Sequence, residues 1–510
     1  MVDKQQSLKH FHGGLVLKHH KRMSCEYQLM VAPAPAYVDI SLRLNRGHIA
    51  ESLVSIGDHV SKGQVIAKPV TERGCYVHAS VSGQVADIRH QATASPDADV
   101  APVIRIICDP QQQWTELRKP NFTADTEPSA IIDFLQHSGI IGMGGAGFPA
   151  HLKYQSSKKI HTLIINGAEC EPYISCDERL MLDYTTDMIN GSRWLMQAAN
   201  AEQVIIAIED NMGGVRSLIQ EHVQAAGLSA CMRVIKVPTI YPTGGEKQLI
   251  KVLMGQEVPS GGVPADLGVI MQNVATAKAV HDAIETGQPN IERVVTVTGD
   301  TVDEPRNYLT PIGTPIKHLL QLAKTDLAQT DKIVIGGPMM GYAMPHDEIG
   351  IDKTTNCILA LAVENTRKKA PEMPCIRCGD CVKVCPQELL PQQLFWYIEG
   401  NNLEQAKQHH VFDCIECGAC SWVCPSQINL VDYYRYAKSE LAYLNYKESK
   451  AQQARERFEH REQRMQAVKA ERQARRARQA SRLKDKGKAK EEISAVLQRI
   501  KSKQNQEQDG

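Results

Sequence analysis

Residues 33–115 alternate apolar and polar positions over short stretches that glycines interrupt. In VSIGDHVSKGQVIAK and VHASVSGQVADI the interruptions fall near Gly57, Gly63 and Gly83. A period of two is typical of half-buried strands, and glycine between such strands indicates tight turns. We therefore predict a small all-β domain in this region, preceded by an N-terminal arm at residues 1–32.

The pattern changes to alternating strands and helices at residues 125–290. SAIIDFLQ has the period of a helix, TLIIN is a short buried strand, and GVIMQNVATAKAVHDAI is a strand followed by a helix. Strands that alternate with helices favour a parallel sheet with helices on its faces. We predict an α/β domain whose strand ends carry polar loops.

Three further regions complete the chain. The strands RVVTVTGD and DKIVIGGPMMG around the helix TPIKHLLQLA predict a compact β-grasp-like domain at residues 291–346. Within residues 366–440, the segment between two cysteine runs has the pattern of two helices with a turn at Gly400. Residues 441–510 lack a sustained apolar stripe and predict a basic tail that is either a solvated helix or disordered. The expected fold class is multidomain α/β and α+β.

Charge separates the tail from the rest of the chain. The 510 residues contain 58 Lys and Arg against 58 Asp and Glu, so the net charge is zero. From Leu441 to Gly510 there are nineteen basic and ten acidic residues, which leaves +9 on the tail and −9 on the body. The zero balance gives no global preference for nucleic acid or a membrane surface, whereas the basic tail is suited to anionic lipid or an acidic partner.

The apolar segments of the sequence bear on the cellular compartment of the protein. The sequence has neither a run of about 20 apolar residues nor the apolar core of a secretory signal. We therefore expect a cytoplasmic location. Because that compartment is reducing, the fifteen cysteines are not expected to form disulfides, and their clustering needs a metal or redox explanation.

Eight of these cysteines fall in two runs of the same spacing, CIRCGDCVKVCP and CIECGACSWVCP. Each run fits the bacterial ferredoxin pattern C-x2-C-x2-C-x3-C-P, in which the fourth cysteine binds the other cluster. Zinc knuckles also use C-x2-C pairs, but they leave the third thiol of each run unexplained and do not need the proline. We therefore predict two [4Fe-4S] clusters, one bound by Cys375, Cys378, Cys381 and Cys424 and the other by Cys414, Cys417, Cys420 and Cys385.

A glycine-rich loop lies between two predicted elements of the α/β domain. HSGIIGMGGAGFPAHLKY contains Gly142, Gly144 and Gly147 in the G-x-G-x-x-G pattern, but a helix rather than a strand precedes it. The dinucleotide-binding context therefore fails. What remains is a loop of bare backbone N–H groups that leads into a helix near Pro149, where an anion could bind close to Lys153. The alternative is a flexible interdomain turn.

Polar residues accompany this loop at three strand ends. Glu169, Glu171 and Asp177 follow TLIIN, Glu246 follows YPTGG, and Asn273 ends GVIMQN. Ligands of α/β folds bind at the carboxyl ends of the strands. We therefore predict that the three loops and the glycine loop form one cleft.

Four of these runs together carry a resemblance to a family. GMGGAGFPAHLKY, INGAECEPYISCDERL, YPTGGEKQLI and NVATAKAV resemble the flavin-carrying, NADH-binding subunit of respiratory complex I. With the two cysteine runs, residues 10–440 resemble the RnfC family, which belongs to the bacterial Rnf, or Rsx, electron-transport complex. The resemblance implies that NADH stacks on an FMN whose contacts are Gly142, Gly144, Gly145, Gly147, Lys153, Asn166, Glu169, Glu246 and Asn273.

The regions on either side of the α/β domain also resemble known domains. Residues 33–115 resemble the barrel-sandwich hybrid of lipoyl and biotinyl domains, but the hairpin tip TERGCYV carries no lysine for a prosthetic group. We interpret this region as a docking module. Residues 291–346 resemble the soluble-ligand-binding β-grasp domain found beside the flavin domain in complex I.

The resemblance also implies a function. It describes a peripheral subunit on the cytoplasmic face of the bacterial inner membrane, in a complex that couples redox exchange between NAD(H) and ferredoxin, or a redox regulator, to ion translocation. Expected partners are the other subunits of the complex and an iron–sulfur subunit or ferredoxin, with no nucleic acid and only peripheral membrane contact. The rivals are an iron–sulfur adaptor without a working NADH site and a free-standing soluble dehydrogenase. The adaptor is motivated by Met143, Ala168 and Gly245, where the complex I pattern has arginine, aspartate and glutamate.

Overall fold

The computed structural model describes residues 8–44, 48–96, 99–366 and 371–506. Parts of the predicted arm, cysteine region and tail, at residues 1–7, 367–370 and 507–510, lie outside these ranges. The N-terminal arm, residues 8–32, holds one helical turn and one short strand. These are α1 Arg22–Cys25 and β1 Met30–Val31.

The barrel domain that follows consists of two four-stranded sheets, in the orders β2-β9-β8-β5 and β3-β4-β6-β7. Alternating residues such as Val38, Ile40 and Ile104 fill the core between them. The hairpin tip is docked on the next domain, because the side chain of Gln136 donates to the backbone oxygens of Glu72 (3.2 Å) and Gly74 (3.0 Å). The strands are β2 Tyr37–Ser41, β3 Arg43–Leu44, β4 His48–Ser52, β5 His59–Val60, β6 Val65–Pro69, β7 Val77–His78, β8 Gly83–Ala92 and β9 Val100–Cys108.

The α/β domain contains a four-stranded parallel sheet of order β12-β11-β10-β13. Its strands are apolar on both faces because helices cover both sides. Leu163 and Ile165 point into one core and Ile164 into the other. The elements are α2 Pro128–His137, α3 Ala150–Tyr154, β10 Thr162–Gly167, α4 Cys176–Asp183, α5 Thr185–Ala198, β11 Gln203–Glu209, α6 Val215–Ala225, β12 Met232–Val237, α7 Glu246–Met254, β13 Val269–Asn273 and α8 Val274–His281.

The strand order of this sheet fixes where a ligand can bind. The chain moves outward from β10 to β11 and β12, and then returns to place β13 on the other side of β10. Asn166, near the end of β10, is the register partner of Asn273 at the end of β13. A crevice outside the strand ends at such a reversal is the usual binding site of open α/β sheets.

A mixed sheet of order β1-β15-β14-β18-β16-β17 forms the next domain, with α9 packed against it. The sheet includes strands from both sides of the predicted 291–346 region, because β18, which follows it, lies between β14 and β16, and β1 of the arm pairs with β15. Strand pairing between distant segments leaves no local signal in the sequence. The elements are β14 Glu292–Gly299, β15 Arg306–Pro311, α9 Ile316–Leu322, β16 Thr330–Ile335, β17 Tyr342–Ala343, β18 Cys357–Ala362 and α10 Val363–Thr366.

The cysteine domain, described from residue 371 to 435, consists of short helices around the two cysteine runs. They are α11 Asp380–Lys383, α12 Pro391–Glu399, α13 Leu403–Gln408 and α14 Ala419–Trp422, and the last helix, α15, covers Leu430–Gln506. The described residues from 436 to 506 form a unit separate from the rest of the chain. Of the two alternatives for the tail, the structure adopts the helix, and its side chains from Ala442 to Lys503 are exposed. Within the described ranges, no helix combines the length and apolar character required to cross a bilayer.

Candidate redox site

The glycine loop forms a tight turn at the mouth of the α/β cleft. The N–H of Gly147 donates to the oxygen of Gly142 (3.1 Å), and the N–H of Gly142 donates to the oxygen of Phe148 (2.7 Å). Gly144 and Gly145 lie exposed between these bonds. Gly145 has φ of +101°, and a side chain added there would meet nothing within 4 Å. The turn therefore leaves open space over bare backbone, as close approach of a cofactor requires.

The predicted helix after this loop is present but short. α3 spans only Ala150–Tyr154, so it offers little of the dipole expected of a longer helix. The side chain of Lys153 points to the strand ends, where its Nζ pairs with Glu246 Oε2 (3.0 Å) and donates to the oxygen of Met271 (2.9 Å). Two predicted cofactor contacts, Lys153 and Glu246, are thus held together on one side of the cleft.

Two asparagines connect the strand ends at the switch point. Asn166 Nδ2 donates to the oxygen of Gly244 (2.9 Å), which ties the end of β10 to the loop before α7. Asn273 accepts from the N–H of Ala275 (2.8 Å) as the cap of α8, and its Nδ2 donates to Asp177 Oδ2 (2.6 Å). A side chain at Gly144 would lie 3.3 Å from Asn273. The predicted loops therefore meet in one cleft.

Glu169 lies beneath this cleft rather than in it. Only 7% of the residue is exposed, and its Oε1 accepts the N–H of Asp177 (3.0 Å) at the start of α4. It also accepts from Cys176 Sγ (3.3 Å) and pairs with Lys21 of the arm, which in turn pairs with Glu209 (3.6 Å). Burial raises the pKa of Glu169, although Lys21 opposes the shift. The internal partners occupy this carboxylate, so it supports the cleft from below.

Glu171 marks the boundary between the cleft and the mixed-sheet domain. Its carboxylate accepts the N–H groups of Met339 (3.2 Å) and Met340 (2.7 Å). Burial raises the pKa of Glu171 to about 7 even though these hydrogen bonds favour the ionised form. Burial and the neighbouring Glu169 likewise raise the pKa of Asp177 to about 6. The floor of the cleft thus contains carboxyl groups that titrate near neutral pH.

The eight clustered cysteines line two cavities, four on each. Their backbones repeat one conformation at an offset of 39 residues, with left-handed φ at Arg377 and Glu416 and at Gly379 and Gly418. The ligand assignment itself stays a prediction, but each cavity gathers two loops in the manner of a two-cluster ferredoxin. One cavity is lined by Cys375, Cys378, Cys381 and Cys424, and the other by Cys385, Cys414, Cys417 and Cys420.

The donor set of these cavities fits iron–sulfur clusters. Four cysteine sulfur atoms line each cavity, and the described lining residues include no carboxylate or imidazole side chain. Burial raises the pKa of Cys417 to about 12 and also raises that of Cys420 and Cys385. Buried thiols of this kind become thiolates only when a cation replaces the proton. Sulfur-only quartets of this spacing are suited to cubane clusters.

Sequence reasoning missed two features of the site. Tyr241 is 2% exposed, and its hydroxyl donates to the backbone oxygen of Cys417 (2.5 Å). The arm reaches the same place, since the N–H of Gly14 donates to the oxygen of Val384 (3.1 Å). Neither contact joins residues near in sequence, so no spacing or periodicity could have indicated it.

Four family models match the chain in the order of these domains. The cleft with its glycine loop falls within an FMN-binding domain, and the cysteines fall within a dicluster domain, so the expected FMN and iron–sulfur cofactors are confirmed. The open cradle at Gly145 and the sulfur-lined cavities fit these groups. The matches are the RnfC barrel sandwich hybrid domain at 9–111, the Nuo51 FMN-binding domain at 135–282, the SLBB domain at 294–343 and the 4Fe-4S dicluster domain at 374–428.

These domains define the chain as a flavin- and cluster-binding redox protein. A curated relative in Pseudomonas aeruginosa, named as the C subunit of an ion-translocating oxidoreductase complex, is 42% identical over 85% of this chain and 56% of its own length. The relative of the same name in Yersinia pestis bv. Antiqua is 42% identical over 85% of this chain and 70% of its own length. The chain therefore belongs to the RnfC family of ion-translocating oxidoreductase complexes.

The similarity to known proteins covers only part of their length. The chain spans little more than half the length of the first curated relatives, at 56%, 54% and 55%. Among solved structures, an NAD+-reducing [NiFe]-hydrogenase in the H2-reduced state is 18% identical, with a TM-score of 0.43 over 61% of each chain.

Proposed function

We propose that this chain is a peripheral subunit of a membrane-bound electron-transport complex on the cytoplasmic face of the bacterial inner membrane. The complex would couple redox exchange between NAD(H) and ferredoxin, or a redox regulator, to ion translocation. Its partners would be the other subunits of that complex and an iron–sulfur protein. Family membership supports the proposal, since the relatives are named subunits of ion-translocating oxidoreductases.

One loop carries this proposal, because it touches both the cleft and a cysteine run. At one end Tyr241 donates to the oxygen of Cys417, and three residues later Gly244 accepts from Asn166 at the strand end. When bound, FMN supplies chemistry that links two-electron hydride exchange to one-electron exchange with a [4Fe-4S] cluster. These two contacts support the proposal that the two kinds of cofactor site lie side by side.

The residues of the cleft would have separate tasks in holding FMN. Gly142, Gly144, Gly145 and Gly147 provide backbone without side chains, so a flat or phosphorylated group can approach closely. Lys153 and Glu246 form an ion pair on one side of the opening, and Asn166 and Asn273 have amides at the switch point. Glu169 would hold α4 and Lys21 in place from below.

The test is an anaerobic preparation of the full chain with cofactors counted. We expect about one FMN and about eight iron and eight acid-labile sulfide per chain, since each cubane holds about four of each. Addition of NADH should bleach the flavin absorbance. Zinc without sulfide would overturn the cluster assignment, and intact clusters with an unbleached flavin would favour the adaptor.

A matched pair of glycine variants separates the flavin cradle from general strain. Gly145→Leu places a side chain in the cradle, at φ of +101°. Gly227→Leu is the control, because it introduces the same side chain at a positive φ of +70° outside the cradle, after α6. Neither site has a neighbour within 4 Å. The first variant should lose FMN while keeping its iron, and the second should keep both. Equal FMN retention would contradict the assignment of the loop.

The adaptor remains the second candidate because of Met143. Its side chain is 3% exposed and lies in the core, where Asn290 approaches its sulfur (3.6 Å). The cleft therefore lacks the positive side chain that the complex I pattern has at this position. A cleft that holds FMN but does not react with NADH would still allow electrons to pass through the clusters.

The peripheral location has its own test. Membrane fractions prepared at low ionic strength should contain the chain, and a rise in salt should release it, because charge contacts with lipid or partner subunits are screened. A chain that stays in the supernatant at every salt concentration would favour a free-standing dehydrogenase.

A further inference from the structure

The two cysteine quartets have the same spacing but different surroundings. We propose that the inner quartet, Cys385, Cys414, Cys417 and Cys420, holds the cluster next to the flavin cleft, fixed by a clasp made of Gly13–Leu15, Tyr241 and Met339. The outer quartet, Cys375, Cys378, Cys381 and Cys424, holds the cluster at the solvent-facing end. This proposal rests on the proposed function, because it assigns an order to the same cofactors.

The first part of the clasp comes from the arm. His12 Nδ1 is hydrogen-bonded to the oxygen of Cys385 (2.9 Å), and the N–H of Gly14 donates to the oxygen of Val384 (3.1 Å). Gly13 has φ of +68°, and a Cβ atom there would lie 2.5 Å from the carbonyl carbon of Val384. Only glycine permits this approach, so the arm lies directly on the loop that supplies Cys385.

The second part is Tyr241, which joins the arm to the other cysteine loop. Its backbone exchanges two hydrogen bonds of 2.8 Å with Leu15, and its buried hydroxyl donates to the oxygen of Cys417. Because Gly244 is bonded to Asn166, the same short segment reaches the cofactor cleft. The inner quartet is therefore connected to the cleft within four residues.

The third part comes from the mixed-sheet domain. The oxygen of Met339 would lie 2.8 Å from a Cβ atom on Gly418, the residue after Cys417. The N–H of Met339 in turn donates to Glu171 at the edge of the cleft. Apolar atoms close the space between these segments, because Leu15, Tyr241 and Met339 pack with Cys417 and Ala419 in one small core.

The outer quartet has no such clasp among the described residues. Residues of the cysteine domain line both cavities, so the difference lies in what packs around those residues. Cys378 is exposed, and the neighbouring Ile376 is 67% exposed. Gly379, the counterpart of Gly418, would meet nothing within 4 Å if it carried a Cβ atom. One copy of the motif is thus packed against segments from other domains, and the other copy is open to solvent.

The experiment measures how closely a water-soluble spin relaxer approaches each reduced cluster. Anaerobically purified full chain, with FMN and both clusters, is reduced with dithionite, and its EPR signals are recorded with and without a chelated dysprosium ion. Cys378→Ser and Cys417→Ser variants assign the two signals, since serine at one ligand position alters the signal of that cluster. We expect the signal that Cys378→Ser alters to relax several-fold faster with dysprosium, and the other to change little.

A matched glycine pair tests the clasp itself. Gly418→Ala and Gly379→Ala introduce the same methyl group at φ of +75° and +78°, but only the first meets the oxygen of Met339. Gly418→Ala should raise the dysprosium effect on the inner cluster, whereas Gly379→Ala should leave it unchanged. An equal effect of the two variants would contradict the clasp.

Two outcomes overturn the proposal in distinguishable ways. Two cluster signals that relax equally, or a stronger effect on the signal that Cys417→Ser alters, overturn the order of the quartets alone. A preparation that contains zinc and shows no cluster signal overturns the proposed function, and this proposal with it.

Discussion

The two cysteine runs are duplicates in spacing and backbone conformation, but their environments differ. The inner run, residues 414–425, supplies three cysteines of the inner quartet, and its Cys417 and Cys420 are each 7% exposed. The outer run, residues 375–386, supplies three cysteines of the outer quartet, and its Cys378 is exposed. The side chain of Trp422, in the inner run, points to solvent at 62% exposure, so burial is confined to the side that faces the clasp. The motif predicts which atoms gather around a cluster, and the rest of the chain decides which cluster is protected.

The strongest test of this difference removes one cysteine from each run. Cys417→Ala and Cys378→Ala should each lose about four of about eight iron atoms, because a cubane without its fourth ligand is labile. Cys417→Ala should also lower the free energy of unfolding by about 1–2 kcal/mol more than Cys378→Ala, since its side chain packs in the interdomain core. Iron analysis and thermal unfolding measure the two effects. Equal loss of stability would show that the surroundings do not distinguish the runs.

Glu171, which accepts the N–H of Met339 in the clasp, offers a pH-dependent test of the surroundings of the inner quartet. Its folded pKa of about 7 lies above the unfolded value of 4.5, so the native state keeps a proton that the unfolded state loses. The stabilisation is complete below pH 4.5 and is lost as the pH rises through 7. Across that window the wild type should lose roughly 1–3 kcal/mol relative to Glu171→Gln, from about 1.4 kcal/mol per pH unit.

The measurement for Glu171 is the unfolding midpoint from pH 4.5 to 8 in both proteins. Glu372→Gln is the control, because Glu372 lies on the outer side with an exposed contact to Tyr433 (3.3 Å). The control should follow the wild type at every pH. Parallel curves for wild type and Glu171→Gln would contradict the buried, protonated carboxyl group.

A smaller effect is expected for the tyrosine of the clasp. Tyr241→Phe removes the buried donor to the oxygen of Cys417, which should cost about 1–2 kcal/mol in the free energy of unfolding. Tyr433→Phe removes an exposed hydroxyl near the outer run and should change the same quantity by less than about 0.5 kcal/mol. Chemical unfolding of the anaerobic proteins compares the two. A larger effect at Tyr433 would reverse the assignment of inner and outer sides.

The smallest effect should come from the exposed rim. Ile376→Ser replaces a side chain that is 67% exposed, so the free energy of unfolding should change by less than about 0.5 kcal/mol. Leu15→Ser, in the clasp, should cost more because this side chain packs against Tyr241 and Cys417. If Ile376→Ser unfolds the protein as readily, the rim is part of a core and not a solvent-facing edge.

Local patterns were sufficient for much of this architecture. The period of the apolar residues predicted α2, β10, β13 and α8 of the α/β domain, and the ends of the two predicted strands place Asn166 and Asn273 where ligands of such sheets bind. Family membership and the FMN and iron–sulfur cofactors are confirmed. The use of NADH and the individual contacts to FMN stay predictions.

Contacts between distant segments were out of reach of the sequence. β18 and β1 complete the mixed sheet from outside the predicted region, because strand pairing is specified by the partner and not by the strand. Glu169 belongs to a motif of the cleft but turns inward, since Lys21 of the arm provides a buried partner. Tyr241 escaped notice because its partner lies 176 residues away.

The course of the arm has a consequence for biosynthesis. Its residues contact Tyr241, Val252, Leu309 and Val384, and the oxygen of Cys385 to which His12 is hydrogen-bonded lies 373 residues further along the chain. The partners of β1 in β15 and of Leu15 at Tyr241 are made earlier, whereas Gly13 lies against Val384 and can do so only after the first cysteine run has been made. Seating of the arm is therefore a late event of maturation, and it can occur only once the cysteine loops have taken shape.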